Sequence, residues 1–342
     1  MTRHWRARGL LLGALILAIA GGVLWPRHGP PARGNLASAS ASAGSPGPAV
    51  EYPRSSRLPN PAHRMLLGES YISLSGESSM EAAIEQREAA MGHHYDLEGT
   101  YYAWTDPFPD FGEAVIAAHG RTPLMAWFGP GKDPGDHTTL AEINNGREDT
   151  WIRRQAEAVK HFRKLIYLRL MPEMNGHWYP GYGAQPAAFI AAWRHIHDLF
   201  AQAGVHNVIW VWCPNLNPED WDLYYPGNAY VDVIGVDGFN NSLRLRWRSF
   251  EQVFAPFLEH YAGRKPLMIA ETATTSAHGS AASFIAAMHS YLKHVAGPRY
   301  GVIAVCWFDT DTVSFYNWRV DQTPAAWRAW LSLARDPYFS GS

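Results

Sequence analysis

Two glutamates close two apolar runs of this 342-residue chain. Glu173 lies in KLIYLRLMPEMN (164–175) and Glu271 in KPLMIAETAT (265–274). A pair of carboxyl groups can divide acid–base and nucleophilic work if one is held protonated while the other is ionised. Burial or a like charge nearby keeps a carboxyl protonated, and Glu173, set in LMPEMN beside Trp178, has the apolar surround for it. Two carboxyls about 5 to 5.5 Å apart suit retaining hydrolysis of a glycosidic bond, whereas inverting chemistry needs a wider gap for water. The composition is compatible with a sugar. Fifteen Trp, 16 Tyr and 14 Phe offer rings for stacking, and a formal net charge of −2 gives no electrostatic case for nucleic acid or acidic membranes.

The elements that would carry these glutamates are readable. Eight short apolar runs, near 64–72, 95–104, 122–130, 164–175, 206–215, 231–240, 265–274 and 300–309, read as parallel strands buried on both faces. Between them lie helical stretches: Glu77 to Met91, Asp110 to Gly120, Asp149 to Arg163, Gln185 to Gly204, Phe250 to Gly263 and Ser280 to Gly297. A last one runs from Pro324 to Arg335. The fold class this predicts is α/β, a single (β/α)8 TIM barrel over residues 59–342. No Gly-rich nucleotide turn supports an open doubly wound sheet instead. In a barrel, the chemistry sits at the C-terminal strand ends. Here those ends carry Glu69, Tyr102, Trp104, Trp127, Glu173, Asn175, Trp212, Asn215, Asp237, Phe239, Asn240, Glu271, Trp307 and Asp309. Glu173 and Glu271, on the fourth and seventh strands, are expected to face each other across the mouth.

Residues 1–26 combine Arg3, Arg6 and Arg8 with an apolar run from Gly9 to Trp25, the composition of an export signal or an N-terminal membrane anchor. Ala18-Ile19-Ala20 is a plausible cleavage site. Residues 27–58 are rich in Pro, Gly, Ala and Ser and read as a flexible tether. The expected location of the barrel is outside the cytoplasm, secreted, periplasmic or membrane-anchored. Cys213 and Cys306, each in an apolar run, read as buried free thiols. The histidines show no metal-ligand spacing, so neither metal nor cofactor is expected. The expected partner is a polysaccharide or oligosaccharide, with membrane contact only through the N-terminus and a monomeric chain.

The motif RLMPEMNGHWYP resembles the acid/base motif of glycoside hydrolase family 26, and PLMIAETAT resembles its nucleophile strand. WVWCPN, VDVIGVDGFN and FYNWRVD also look like stretches of that family, so the likeness runs to about Asp321. The resemblance implies a retaining barrel enzyme acting on β-mannan, mixed-linkage β-glucan or β-1,3-xylan, with Glu173 as general acid/base and Glu271 as nucleophile. Two positions depart from the family pattern. Pro172 stands where a His usually precedes the acid/base. Phe239 replaces a Tyr whose hydroxyl could orient the nucleophile.

Further roles are expected around the pair. Strand periodicity places Arg169 inside the barrel or near Glu271. Trp307 is the expected stacking platform beneath the sugar, with Trp178, Trp212, Trp104 and Tyr316 as candidates for neighbouring sugar sites. Asn175, His177, Asp237 and Asn240 are candidate partners for sugar hydroxyls. The sequence leaves two other readings open, a hydrolase of a bacterial exopolysaccharide and a catalytically inactive carbohydrate-binding barrel.

Overall fold

Each apolar run forms one parallel strand in a computed structural model, and the eight strands close in sequence order into a barrel. The described residues are 58–71, 79–131, 135–176, 178–179, 181–240, 246–277, 279–311 and 316–341. The segments read as an export signal or anchor (1–26) and nearly all of the tether lie outside them, as does His177. The strands are β1 (Leu66–Tyr71), β2 (Leu97–Tyr102), β3 (Thr122–Trp127) and β4 (Ile166–Leu170). They continue as β5 (Val208–Trp212), β6 (Val233–Asn240), β7 (Leu267–Thr274) and β8 (Val302–Asp309). Closure is made by β1 against β8, with Gly68 opposite Cys306 and Ser70 opposite Phe308.

The helices are α1 (Met80–Met91), α2 (Phe111–Ala118), α3 (Leu140–Asn144), α4 (Asp149–Phe162) and α5 (Pro186–Gln202). After β6 come α6 (Phe250–Tyr261), α7 (Ala281–Tyr291), α8 (Pro324–Ala334) and α9 (Pro337–Ser340). Their starts follow local chemistry. Asp110 and Glu113 form a capping box on α2, and Ser249 with Gln252 forms another on α6. Gly204 ends the α5 unit with φ of 73°, a conformation that costs glycine least. The stretch from Ser280 to Gly297 is not one α-helix. After Tyr291 it widens into a π-type segment, Leu292–Tyr300, that contains Pro298, which has no N–H to donate to the α ladder.

Side chains alternate between two apolar layers. Leu97, Leu124, Tyr167, Ile209, Val211, Met268, Ala304 and Cys306 fill the barrel, and a larger cluster lies between the strands and the helices. Cys213 and Cys306 are both buried and unpaired. Small residues let the interior close. A Cβ on Gly99 would stand 2.3 Å from Ser70 Oγ, so only glycine fits there. This alternation decides which residue at each strand end reaches the mouth, because a shift of one position reverses the face.

Candidate active site

β4 delivers two functional groups by different means. Arg169 is on the strand and points inward, two residues after Tyr167 of the inner layer. Glu173 lies beyond the strand, which stops at Leu170 rather than running to 175. Met171 and Glu173 take φ of 43° and 55°, and the Glu173 N–H donates to Cys213 O at 2.8 Å. The left-handed backbone costs about 1 kcal/mol or more at a non-glycine residue. It carries Glu173 sideways over the end of β5.

Glu173 is buried, 4% exposed, and held on both oxygens. Asn215 Nδ2 donates to Oε1 at 2.6 Å. Trp178 Nε1 donates to Oε2 at 3.0 Å, and the Tyr179 hydroxyl lies 3.4 Å from the same oxygen. Burial first, then the charge of Glu271, pushes its pKa up to about 7, while the Asn215 and Trp178 hydrogen bonds pull it back. A carboxyl with such a pKa holds a proton near neutrality and can also release it.

Glu271 is on β7 at a break in register, opposite Asp237 of β6. Arg169 ties these two together. Its Nη1 donates to Glu271 Oε1 at 2.5 Å, and its Nη2 donates to Asp237 Oδ2. Burial opposes the guanidinium charge, but Asp237 and Glu271 together hold its pKa well above the usual value. The Tyr101 hydroxyl on β2 also donates to Glu271 Oε1, at 2.9 Å. A hydroxyl therefore reaches this carboxylate although position 239 holds Phe. The site pairs a buried, protonatable carboxyl with a carboxylate bound to arginine, and the two are close enough for the charge of one to raise the pKa of the other.

Several residues singled out from the sequence lie elsewhere. Trp307 is not a platform at the mouth. It is fully buried on the outer face of β8, packed edge-on to Trp330 of α8 at 5.7 Å, and its Nε1 donates to Trp318 O at 2.7 Å. The inward residue at that level is its neighbour Phe308, opposite Ser70. Trp212 likewise packs outward, edge-on to Tyr261 of α6, with Nε1 bonded to Tyr224 O. Trp104 stacks on Trp127 at 4.6 Å in the outer core. Tyr316 is buried, stacked on Trp318 at 5.2 Å. Glu69 and Asp309 also face outward, where both meet Arg87 of α1.

The polar candidates divide in the same way. Asn175 exchanges hydrogen bonds with the backbone of Asn215 (Nδ2 to O at 2.8 Å, N to Oδ1 at 2.9 Å), so it sets the residue that binds Glu173. Asn240 is spent on the backbone of Arg248. Asp237 is fully buried beneath the mouth against Arg169 and Cys213. Trp178 alone among the tryptophan candidates is half-buried at the site. Tyr101, Asn215 and Tyr179 complete the set. Counting alternate positions along β2 from Leu97, through Gly99, finds Tyr101; reading only the outermost aromatic finds Tyr102, which faces outward to Glu113.

The aromatic rings around the pair form one continuous belt, joined where Tyr101 meets Phe308 edge-on at 6.5 Å. Tyr101 stacks on Phe128 at 6.2 Å, and Phe128 meets Tyr179 at 5.5 Å. Beyond Phe308, Phe239 stacks on Trp318 at 5.0 Å and meets Phe308 edge-on. Among the described residues the grouping with metal-ligand proximity is Glu81, Glu85 and His119, on α1 and at the end of α2. Glu81 there is already bonded to Arg121.

A closed eight-stranded barrel that sets Glu173 just past its fourth strand and Glu271 on its seventh has the architecture of a glycosidase. The profile of Glycosyl hydrolase family 26 matches residues 146–294, which include both glutamates, and the chain belongs to that family. "Endoglucanase H" of Acetivibrio thermocellus is 31% identical over 288 residues, 78% of this chain and 30% of that protein. A "Mannan endo-1,4-beta-mannosidase" of Bacillus subtilis is 26% identical over 124 residues, 34% of this chain and 32% of that protein. This chain thus spans about a third of the length of both relatives. The solved β-mannanase of Bacteroides ovatus shares the fold with a TM-score of 0.58 at 16% identity, over 83% of this chain and 93% of that one.

Proposed function

We propose that the protein is an exported, retaining, endo-acting β-glycoside hydrolase that cleaves a neutral β-linked polysaccharide, β-1,4-mannan or a related β-glucan. The observation that carries this reading is the unequal setting of the two carboxyls. Glu173 has a pKa raised to about 7, and Glu271 lies against the Arg169 guanidinium. Glu173 protonates the leaving glycosidic oxygen as Glu271 attacks the anomeric carbon, giving a glycosyl-enzyme. Water then displaces Glu271, and Glu173 takes the water proton. Between the two substrates, the relative matched over most of this chain is named an endoglucanase, whereas the mannosidase match covers 34% of the chain. That favours a β-glucan. Export rests on residues 1–26; among the described residues no helix is long and apolar enough to cross a membrane.

The test incubates the soluble domain with mixed-linkage β-glucan, β-mannan, xylan and bacterial exopolysaccharides and follows reducing ends. One β-glycan is expected to be cleaved into oligosaccharides with retained anomeric configuration, and Glu271→Ala to abolish cleavage. Full activity in that variant removes the nucleophile assignment, and initial release of the inverted anomer removes the double displacement.

A further inference from the structure

The two oxygens of Glu271 are not equivalent. Oε1 accepts from both Arg169 Nη1 (2.5 Å) and the Tyr101 hydroxyl (2.9 Å). Oε2 accepts no hydrogen bond from any described residue. The oxygen free to attack a carbon is therefore Oε2, and Oε1 becomes the carbonyl oxygen of the ester that results.

From this arrangement we infer that Tyr101 is a positioning residue for the second half of the reaction, holding Oε1 so that the Glu271 carboxylate departs readily from the glycosyl-enzyme. The inference rests on Glu271 being the nucleophile. Hydrogen bonds to a charged acceptor are stronger than those to a neutral one. When Glu271 attacks, its charge is lost to the new C–O bond, and the bond from Tyr101 weakens. When water displaces the ester, the C–Oε2 electron pair returns to the carboxylate, charge reappears on Oε1, and the bond from Tyr101 strengthens. Tyr101 thus favours breakdown of the intermediate over its formation. The phenol is suited to stay a donor, since burial and the charge of Glu271 push its pKa well above the usual value. Its ring is fixed by stacking on Phe128 and an edge contact to Phe308 at 6.5 Å. It comes from β2, reached from β7 through β8 and β1, whereas Arg169 comes from β4, so the two donors approach Oε1 from different strands.

Tyr101→Phe keeps the ring and removes the hydroxyl. With 2,4-dinitrophenyl β-cellobioside and β-mannobioside, whose good leaving group makes the first step fast, kcat should fall about ten- to a hundred-fold. KM should fall in parallel, leaving kcat/KM within a few-fold of wild type, and intact-mass spectra of the working variant should show enzyme plus one disaccharide unit. A merely structural role moves kcat without lowering KM and leaves no adduct, and that result overturns the inference. The parent reading is tested separately on the wild type with the matching 2-deoxy-2-fluoro glycosides. Label on Glu271 together with no accumulation in Tyr101→Phe overturns the role of Tyr101 alone. Label on another residue overturns both.

Discussion

Asn215 donates its side-chain amide to Glu173 Oε1 at 2.6 Å, and Asn175 fixes the backbone of Asn215 from the turn that carries Glu173. The acid and its donor are thus set by one local network joining the ends of β4 and β5. Such a network tunes protonation as well as position.

The hydrogen bond from Asn215 lowers the pKa of Glu173, whereas burial and Glu271 raise it to about 7. Removing this donor takes away the first of the lowering causes and leaves the Trp178 hydrogen bond and the Arg169 charge. In Asn215→Ala the alkaline limb of kcat/KM should therefore move to higher pH, with a loss of about tenfold at the optimum from the missing charge-assisted bond. A pH–rate series decides it; a limb displaced toward acid is the contrary result.

Stability should also depend on the proton of Glu173. Its pKa in the folded protein, about 7, lies above the value of 4.5 for a free glutamate. The folded state therefore holds the proton more tightly. That contribution is complete below pH 4.5 and is lost as pH rises through 7. Glu173→Gln cannot ionise, so its gain over wild type should be small at pH 4 and grow to about 1–3 kcal/mol at pH 8. Thermal melts at the two pH values should differ by roughly 2–4 °C per kcal/mol. An equal gain at both is the contrary result.

Arg169 joins Asp237 and Glu271, and all three side chains are at most 8% exposed. Replacing it with Met leaves two carboxyls buried without their cation. Removing one partner of such a group costs about 3–5 kcal/mol, so urea unfolding of Arg169→Met at pH 7 should show a lower midpoint. The loss should shrink at acid pH, where Asp237, whose pKa burial pushes well above the usual value, is neutral. A pH-independent loss would assign the effect to packing.

Trp307 packs against Trp330 and donates to Trp318 O from the outer face of β8. Trp307→Phe should cost about 1–3 kcal/mol of stability from the lost bond and volume, with KM for a polysaccharide near wild type. Trp178→Phe, which removes a donor to Glu173, should do the opposite, lowering kcat with little change in melting temperature. Exchange of these two phenotypes would return Trp307 to the mouth.

The order of eight strands, the helices between them and the placing of two glutamates on the fourth and seventh units were legible because each depends on local pattern. Apolar runs of strand length, separated by amphipathic stretches ending in glycine, are decided by the chain's own neighbours. The fourth run shows the limit. Its apolar character continues to Met174, but the strand ends at Leu170, because Met171 and Glu173 adopt left-handed backbone to meet β5. Nothing within the run announces that meeting.

What the sequence by itself determined is the architecture and the strand units that carry Glu173 and Glu271, since hydrophobic periodicity suffices for both. What only the tertiary structure decided is the phase of each strand and the partners of each charge. Trp307 and Phe308, or Tyr101 and Tyr102, are adjacent and chemically alike, yet one of each pair faces the mouth and the other the helices. Side chains alternate with a period of two, so the face is set by pairing with the next strand rather than by the residue. The hydroxyl on Glu271 illustrates the consequence. It is absent from position 239 on the adjacent strand and is supplied by Tyr101, 170 residues away in the chain, because the barrel closes.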